Sequence, residues 1–311
     1  MRAVLIEEFG GPEVLGIAEV AKPVPGPGQV LVRVEAIGVS AGETQMRAGV
    51  YPLELPAVFG AEAAGTVDEV GDGVDPALVG TEVVAVTGGT GSYAEFAVVA
   101  EGMLTRVPVG LSTTDALASA APGAVALALL RAAEIRGGET VLVEGGSGKI
   151  GGYLVRHARE AGAGRIVATA GAGAERVREL GADLVLDHRD PEWTAGVGEV
   201  DVVFEMLGGE VAGKLLDVTA PGGKVLLYGM MSGQPPVLDP STVLSRGLRL
   251  IGCGGPVWAR QVLGAHYPEF VALAATGGTH LVEVDEILPL GEAAEAHRRI
   301  EAGARRILLR P

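Results

Sequence analysis

The residues best suited to chemistry form a glycine-rich turn in the segment ETVLVEGGSGKIG, which spans residues 139–151. A short apolar run leads into glycines spaced Gly145-x-x-Gly148-x-x-Gly151, and apolar residues then recur at helical spacing. A strand, a glycine turn and a helix start together cradle a dinucleotide pyrophosphate, because glycines allow close approach and helix amides favour negative charge. The spacing departs from the strict G-x-G-x-x-G, so a purely structural turn stays open. The segment predicts a coenzyme site that includes Gly145, Ser147, Gly148, Lys149, Ile150 and Gly151.

The elements that must position this turn alternate between strands and helices. Strands are expected at 140–143, 165–169, 184–186, 200–204, 224–228 and 248–251, and helices at 113–136, 150–160, 174–180 and 210–219. Such alternation predicts an α/β domain with a doubly wound parallel sheet. Residues 1–112 instead show short β-like runs between Gly- and Pro-rich turns, which predicts an antiparallel or barrel-like domain. The tail from 256 to 311 is too short for a domain and is expected to pack on the first one.

Composition excludes several classes of protein. The chain has 311 residues, 48% of them hydrophobic, with a mean hydropathy of +0.35, so buried cores are expected and disorder is not. The net charge of −15 disfavours partners such as nucleic acid and anionic membrane surfaces. We expect no membrane span and no secretory leader, since no apolar run approaches about 18–20 residues. The single cysteine excludes an intramolecular disulfide and predicts a cytoplasmic protein.

Motifs along the whole chain resemble those of a known family. They are the opening MRAVLIEEFGGPEV, the segments GAEAAGTV at 60–67 and GSYAEF at 91–96, the turn at 141–151, and RELGAD at 178–183. The sequence resembles the zinc-free quinone oxidoreductases of the medium-chain dehydrogenase/reductase superfamily, the group that includes zeta-crystallin. The resemblance implies a GroES-like β-barrel-type domain over 1–112, completed by 256–311, and a Rossmann domain over 113–255. It also implies that no zinc is bound, because Ala61 stands where zinc-containing relatives carry a histidine ligand.

The choice of coenzyme follows from the end of the second predicted strand of the Rossmann domain. An NAD site needs an acid there for the ribose diol, and residues 168–173 read ATAGAG. NADPH is therefore favoured over NADH, with Arg176, Arg178 and Arg189 as the nearby cations and His188 where relatives carry a tyrosine. Arg178 could equally lie on a solvated helix face, and Lys149 could neutralise the pyrophosphate or project into water. The remaining coenzyme contacts that the resemblance implies are Thr169, Leu207, Tyr228, Gly229 and Cys253.

The segment 38–51, GVSAGETQMRAGVY, resembles the family's substrate-pocket segment. Ser40, Gln45 and Tyr51 are the candidate catalytic residues, since each could hydrogen-bond the oxygen of a quinone or enone. Glu43 and Arg47 are expected to form a structural ion pair. Cys253 is interpreted as a small hydrophobic side chain rather than a nucleophile, because no partner base is visible.

Three functions fit these residues. The leading hypothesis is a zinc-independent, NADPH-dependent reductase of quinones or α,β-unsaturated carbonyls, which transfers hydride to a small-molecule substrate. The second is a non-redox isomerase or cyclase on the same scaffold, and the third is a non-catalytic NADPH-binding module. The resemblance also implies a homodimer formed through the last sheet strand, Leu248–Ile251.

Overall fold

The computed structural model describes residues 1–51, 53–304 and 306–311 and divides the chain into two compact units. The first unit combines Met1–Ala121 with Tyr267–Pro311, and the second is Pro122–His266. Both junctions lie within continuous helical segments and not in Pro- and Gly-rich linkers. The domain limits predicted from the sequence, 1–112 with 256–311 and 113–255, stay a prediction.

The elements are numbered in chain order. The strands are β1 (Arg2–Ile6), β2 (Gly16–Glu19), β3 (Gln29–Val39), β4 (Ala57–Val58), β5 (Glu62–Val70), β6 (Glu82–Val86), β7 (Phe96–Ala100), β8 (Leu104–Arg106), β9 (Thr140–Val143), β10 (Arg165–Thr169), β11 (Leu184–Leu186), β12 (Val200–Glu205), β13 (Thr219–Leu227), β14 (Arg249–Gly252), β15 (Glu286–Pro289) and β16 (Ile307–Arg310). The α-helices are α1 (Ala41–Arg47), α2 (Thr113–Ala133), α3 (Lys149–Ala158), α4 (Ala174–Glu179), α5 (Gly209–Val218), α6 (Pro240–Arg246), α7 (Gly255–Gln261), α8 (Tyr267–Ala275) and α9 (Ala293–Glu301). Short 3₁₀ helices lie at Pro12–Val14, Pro76–Leu78, Glu101–Met103, Trp193–Gly196 and Leu290–Glu292, and a π-helical turn lies at Val262–His266.

The first unit is built on a mainly antiparallel sheet. Its strands run in the order β15-β16-β3-β5-β6-β8, with β7 also paired to β3, and a separate small sheet has the order β2-β1-β4. Strand β3 places Val30, Val32 and Val34 in the core, as expected for period-two alternation. The pairing of β3 with β5 shifts register between Val34 and Ala36, and the core residues continue at Ile37 and Val39. The antiparallel character predicted for residues 1–112 is confirmed.

The second unit is a doubly wound parallel sheet. Its order is β11-β10-β9-β12-β13-β14, and every neighbouring pair is parallel. The order reverses between β9 and β12, which diverge into the two halves of the sheet. In open α/β sheets the crevice at the carboxyl ends of such strands is where ligands bind. The predicted α/β class is therefore confirmed, and the glycine turn directly follows β9.

Helix α2 is the most apolar long helix among the described residues. By length and composition it could cross a membrane, and 72% of its apolar window is buried inside the protein. The core helix of a soluble protein has the same composition, so this helix is weak support for a membrane span.

Candidate functional site

The glycine turn is held by the neighbouring strand. Gly145 has a φ of +61° and donates its N–H to Thr169 Oγ1 at 2.9 Å, while Gly146 donates to the Thr169 carbonyl oxygen at 2.8 Å. Gly148 N–H returns to the Gly145 carbonyl oxygen at 2.8 Å. Thr169, expected to contact the coenzyme, uses its hydroxyl oxygen to anchor the turn, and it is almost fully buried.

Helix α3 comes very close to this turn. A Cβ atom on Gly151 would lie 2.2 Å from the Gly145 carbonyl oxygen, so no larger residue fits without movement. Gly148 is the N-cap of α3 and provides no side-chain hydrogen bond to this ten-residue helix, and the N-terminus of such a helix favours an anion. Ser147, Lys149 and Ile150 are half-buried around this N-terminus. The arrangement can bind a pyrophosphate.

The loop after β10 meets two basic side chains. A Cβ atom on Gly171 would lie 3.3 Å from His188 Nε2 and 3.7 Å from Arg189 Nε. Arg189 is also bonded to Asp187, with Nε to Oδ1 at 2.8 Å, and these bonds lower the pKa of the Asp187 carboxyl. Arg176 is half-buried on α4. The structure thus places the predicted His188, together with Arg189, at the loop where an NAD site would carry an acid.

Two loops pack together at the carboxyl ends of β12 and β13. Met231 donates its N–H to the Met206 carbonyl oxygen at 3.0 Å, and Ser232 donates to the Leu207 carbonyl oxygen at 2.9 Å. A Cβ atom on Gly229 would lie 2.6 Å from the Met206 carbonyl oxygen, so this glycine permits the approach. The predicted Leu207, Tyr228 and Gly229 therefore share one edge of the parallel sheet.

Two buried carboxyl groups at the same edge were not predicted. Glu144 follows β9 and Glu205 ends β12, and both are fully buried. Burial raises the pKa of Glu144 to about 8 and also raises the pKa of Glu205. Each glutamate comes directly after an apolar strand run, which becomes a signal once the two strands are known to be adjacent.

Cys253 follows β14 in the same unit. Its thiol is 3% exposed, and burial raises its pKa to about 11. A thiol with such a pKa is protonated near neutral pH and is a poor nucleophile. This agrees with the interpretation of Cys253 as a small buried side chain.

The candidate catalytic residues lie around α1 in the first unit. Ser40 is the N-cap of α1: its Oγ accepts the Glu43 N–H at 3.3 Å, and its own N–H donates to Glu43 Oε2 at 2.9 Å. This reciprocal pair is a capping box, which fixes the start of the helix. Gln45 is half-buried within α1, and Tyr51, after the helix, is 37% exposed. The hydroxyl proton of Ser40 is left free to donate, because the cap uses only an oxygen lone pair.

The predicted ion pair between Glu43 and Arg47 is wrong. Arg47 Nη2 bonds Glu301 Oε1 at 2.6 Å and Arg47 Nε donates to the Gly10 carbonyl oxygen at 3.0 Å. Glu43 instead caps its own helix and accepts the Ala61 N–H at 2.9 Å. The four-residue spacing suggested a pair, but the capping box turns Glu43 toward the N-terminus and away from Arg47. Burial, followed by the neighbouring Glu62, raises the pKa of Glu43 to about 7.

Ala61 lies where the resemblance implies a histidine zinc ligand in zinc-containing relatives. Ala61 has no ligand atom, and the adjacent Glu62 bonds Arg306 Nη2 at 2.8 Å and the Tyr267 hydroxyl at 3.0 Å. Within residues 1–51, 53–304 and 306–311, no group of three or more His, Cys, Asp or Glu side chains is arranged to hold a metal ion.

Comparisons with known proteins cover both units. Residues 26–109 match the family described as alcohol dehydrogenase GroES-like domain, and residues 150–274 match the family described as zinc-binding dehydrogenase. The mouse quinone oxidoreductase is 33% identical over 98% of this chain and 95% of its own length. A Burkholderia 2-haloacrylate reductase is 32% identical over 95% of this chain and 94% of its own.

A solved structure shows the same fold. The Escherichia coli quinone oxidoreductase complexed with NADPH has a TM-score of 0.89 and 26% identity, and the match covers 100% of both chains. Together with the matching domain families, it confirms the predicted combination of a GroES-like domain and a Rossmann-like parallel sheet.

Proposed function

This chain belongs to the quinone oxidoreductase group of the medium-chain dehydrogenase/reductase family, and from this premise we propose that it is a zinc-independent, NADPH-dependent reductase of quinones or α,β-unsaturated carbonyls. The observation that carries the proposal is the close approach of α3 to the glycine turn, where Gly151 leaves no room for a Cβ atom. The names of the relatives support both substrate classes, since one is a quinone oxidoreductase and another reduces a haloacrylate.

The residues of the second unit fit NADPH. The uncapped N-terminus of α3 would hold the pyrophosphate, with Gly145, Ser147, Gly148, Lys149, Ile150 and Gly151 around it. The loop 170–173 has no acid to bind a ribose diol, whereas His188 and Arg189 could contact a 2′-phosphate. The coenzyme in the Escherichia coli structure supports the same choice.

In such a reaction the residues of the chain bind the substrate and stabilise charge on its oxygen. When bound, NADPH supplies a hydride to an electrophilic carbon of the substrate. Ser40, Gln45 and Tyr51 would each donate a hydrogen bond to the substrate oxygen and so stabilise the negative charge that develops there. Ser40 is the best positioned of the three, because its cap bond to Glu43 fixes the oxygen and leaves the proton to donate.

The absence of zinc in the proposed reaction is supported by one residue. Ala61 replaces the histidine ligand, so polarisation of the substrate oxygen would depend on hydrogen-bond donors alone.

We also propose a cytoplasmic homodimer. Strand β14 is the open edge of the parallel sheet, with β13 as its neighbour, and Leu250 on it is 37% exposed.

Replacement of Arg189 by alanine should weaken NADPH binding about tenfold and leave NADH binding within about twofold, because a charge-assisted hydrogen bond contributes about 1.5–3 kcal/mol. The measurement is a fluorescence titration of each protein with both coenzymes. The matched control is Arg178→Ala, which removes an exposed arginine from α4. A larger loss in the control, or equal losses for NADH and NADPH, would show that Arg189 does not bind the 2′-phosphate.

Purified protein should oxidise NADPH in the presence of a simple quinone or of 2-chloroacrylate, with an unchanged rate after treatment with a chelator. The rate is followed by the loss of NADPH absorbance, and metal content is measured on the same sample. Failure to bind NADPH near millimolar concentration would contradict the proposal. Substrate conversion without coenzyme turnover would indicate an isomerase or cyclase, and binding without any turnover would indicate a coenzyme-binding module.

A further inference from the structure

Two carboxyl groups lie side by side at the point where the order of the parallel sheet reverses. In the pairing of β9 with β12, Val143 is opposite Phe204. The next residues, Glu144 and Glu205, are therefore neighbours at the carboxyl ends of adjacent strands and project to the same face. Both are fully buried. Two like charges in such a place would be very costly, because burial removes the water that would otherwise screen them.

Each carboxyl group binds the backbone of the loop that follows β12. Glu144 Oε2 accepts the Met206 N–H at 3.0 Å, and Glu205 Oε1 accepts the Gly208 N–H. The other oxygens, Glu144 Oε1 and Glu205 Oε2, receive no N–H or O–H from another of the described residues. The two side chains nevertheless come from opposed positions of adjacent strands, and each contributes to the pKa of the other, so the two carboxyl groups lie close together. Two ionised carboxylates cannot hydrogen-bond to each other, so one proton between them satisfies both oxygens.

We propose that Glu144 and Glu205 are positioning residues that share one proton and thereby hold the loop 206–209 in place. The loop includes Leu207, which the proposed function assigns to the coenzyme site, and only this link to the coenzyme rests on the proposed function. Loss of the shared proton would place two negative charges on neighbouring carboxylates. Their repulsion would then release the loop from one or both glutamates.

The residues at the carboxyl ends of the neighbouring strands β10, β13 and β14 are neutral. From β13, the Tyr228 hydroxyl is buried without a hydrogen-bond partner among the residues that the structure describes, and burial together with the two glutamates raises its pKa. After β14, Cys253 is a neutral thiol. From β10, Thr169 carries an uncharged hydroxyl, which accepts the Gly145 N–H. Lys149, at the first position of α3, is the cation of the same glycine-rich segment.

The direction of the pH dependence follows from the shared proton. The pKa of Glu144 is raised to about 8 in the folded protein, from the ordinary glutamate value of 4.5 that applies in the unfolded chain. The folded protein therefore retains a proton that the unfolded chain releases between these values. Stability from the pair is fully present below pH 4.5 and is lost as the pH rises through about 8.

The test compares wild-type protein with Glu144→Gln. In this variant the amide oxygen can accept the Met206 N–H while the amide nitrogen donates to Glu205, which replaces the shared proton by a permanent donor. Amide hydrogen exchange of the loop 206–209 is measured without coenzyme at pH 7 and pH 9.5, corrected for intrinsic rates. Infrared spectra at pH 7 follow the protonated carboxyl group. Glu210→Gln is the matched control, because it removes an exposed carboxylate at the start of α5 that lies outside the pair.

Loop protection in wild type and in Glu210→Gln should fall at least about tenfold between pH 7 and pH 9.5, since a single titration changes an equilibrium by up to tenfold per pH unit. Protection in Glu144→Gln should stay within about twofold, and the infrared band of one protonated carboxyl group should disappear. Identical pH profiles for wild type and Glu144→Gln, or loss of protection in the variant at pH 7, would overturn the proposal. If Glu144→Gln does not fold, Glu205→Gln provides the same exchange of donor from the other side.

A titration with NADPH separates this inference from the proposed function. If wild type and Glu144→Gln differ in loop protection as expected but neither binds NADPH, the shared proton stands and the coenzyme assignment fails. If both bind NADPH and their loop protection is the same at each pH, the coenzyme assignment stands and the shared proton is refuted. When both proposals hold, the NADPH affinity of wild type should decrease at pH 9.5 by several-fold more than that of the variant.

Discussion

Replacement of Gly151 by alanine should abolish measurable coenzyme binding and lower the free energy of unfolding of the second unit by about 1–3 kcal/mol, the usual cost of overpacking. The added Cβ would lie 2.2 Å from the Gly145 carbonyl oxygen and 3.0 Å from the Gly146 Cα atom. Both neighbours are backbone, so relief requires α3 to move away from the turn. That movement would displace the helix amides that we assign to the pyrophosphate. Titration with NADPH and urea unfolding measure the two effects.

The neighbouring glycine provides a matched control for this substitution. A Cβ atom on Gly152 would lie 3.5 Å from Leu180 Cδ1, which is an ordinary van der Waals contact. Alanine is favoured over glycine within a helix by about 1 kcal/mol, so Gly152→Ala should be neutral or stabilising and should leave NADPH binding unchanged. Equal losses of binding in the two variants would show that the close approach of α3 to the turn is not what the coenzyme requires.

The parallel sheet of the second unit could be predicted closely from the sequence. The runs at 140–143, 165–169 and 184–186 coincide with β9, β10 and β11. Each run has a continuous apolar centre, which is the pattern of a buried parallel strand. Helix α6 was not predicted, although Asp239 followed by Pro240 is a common helix start, and Asp239 accepts the Ser241 N–H at 2.9 Å.

The candidate site could be predicted only in part, and α1 shows why. The motif Ser40-x-x-Glu43 is a sequence signature of a helix start, but the family resemblance drew attention to Ser40 as a donor to substrate. A structural role for the cap and a role toward substrate are compatible, because they use different parts of the same hydroxyl. The assignments of Ser40, Gln45 and Tyr51 to the substrate stay predictions.

The buried carboxyl pair was harder to predict because its two glutamates come together only in the folded sheet. Glu144 and Glu205 lie far apart in sequence, and they meet only because β9 and β12 are adjacent. Strand order in a doubly wound sheet is not readable from local periodicity. Once that order is known, an acid at the end of each strand beside the reversal becomes an informative signal.

The second large effect is expected at Arg306 in the first unit. Its side chain is 1% exposed, and its Nη2 donates to Glu62 Oε1 and to the Leu117 carbonyl oxygen, each at 2.8 Å. Arg306→Met would leave the carboxylate of Glu62 buried without its cation. Removal of one partner from a buried ion pair typically costs about 3–5 kcal/mol. Urea unfolding followed by circular dichroism should show a loss of this size.

Two further variants distinguish an unpaired charge from lost packing. Arg306→Met combined with Glu62→Gln removes the buried charge as well, and it should recover about 1–3 kcal/mol of the loss. Arg2→Met breaks the half-exposed pair of Arg2 with Glu95, whose atoms are 3.0 Å apart, and should cost no more than about 1 kcal/mol. If the double variant is no more stable than Arg306→Met, the contribution of Arg306 lies in its hydrogen bonds to the Leu117 and Val39 carbonyl oxygens, and the Tyr267 hydroxyl is sufficient to stabilise Glu62.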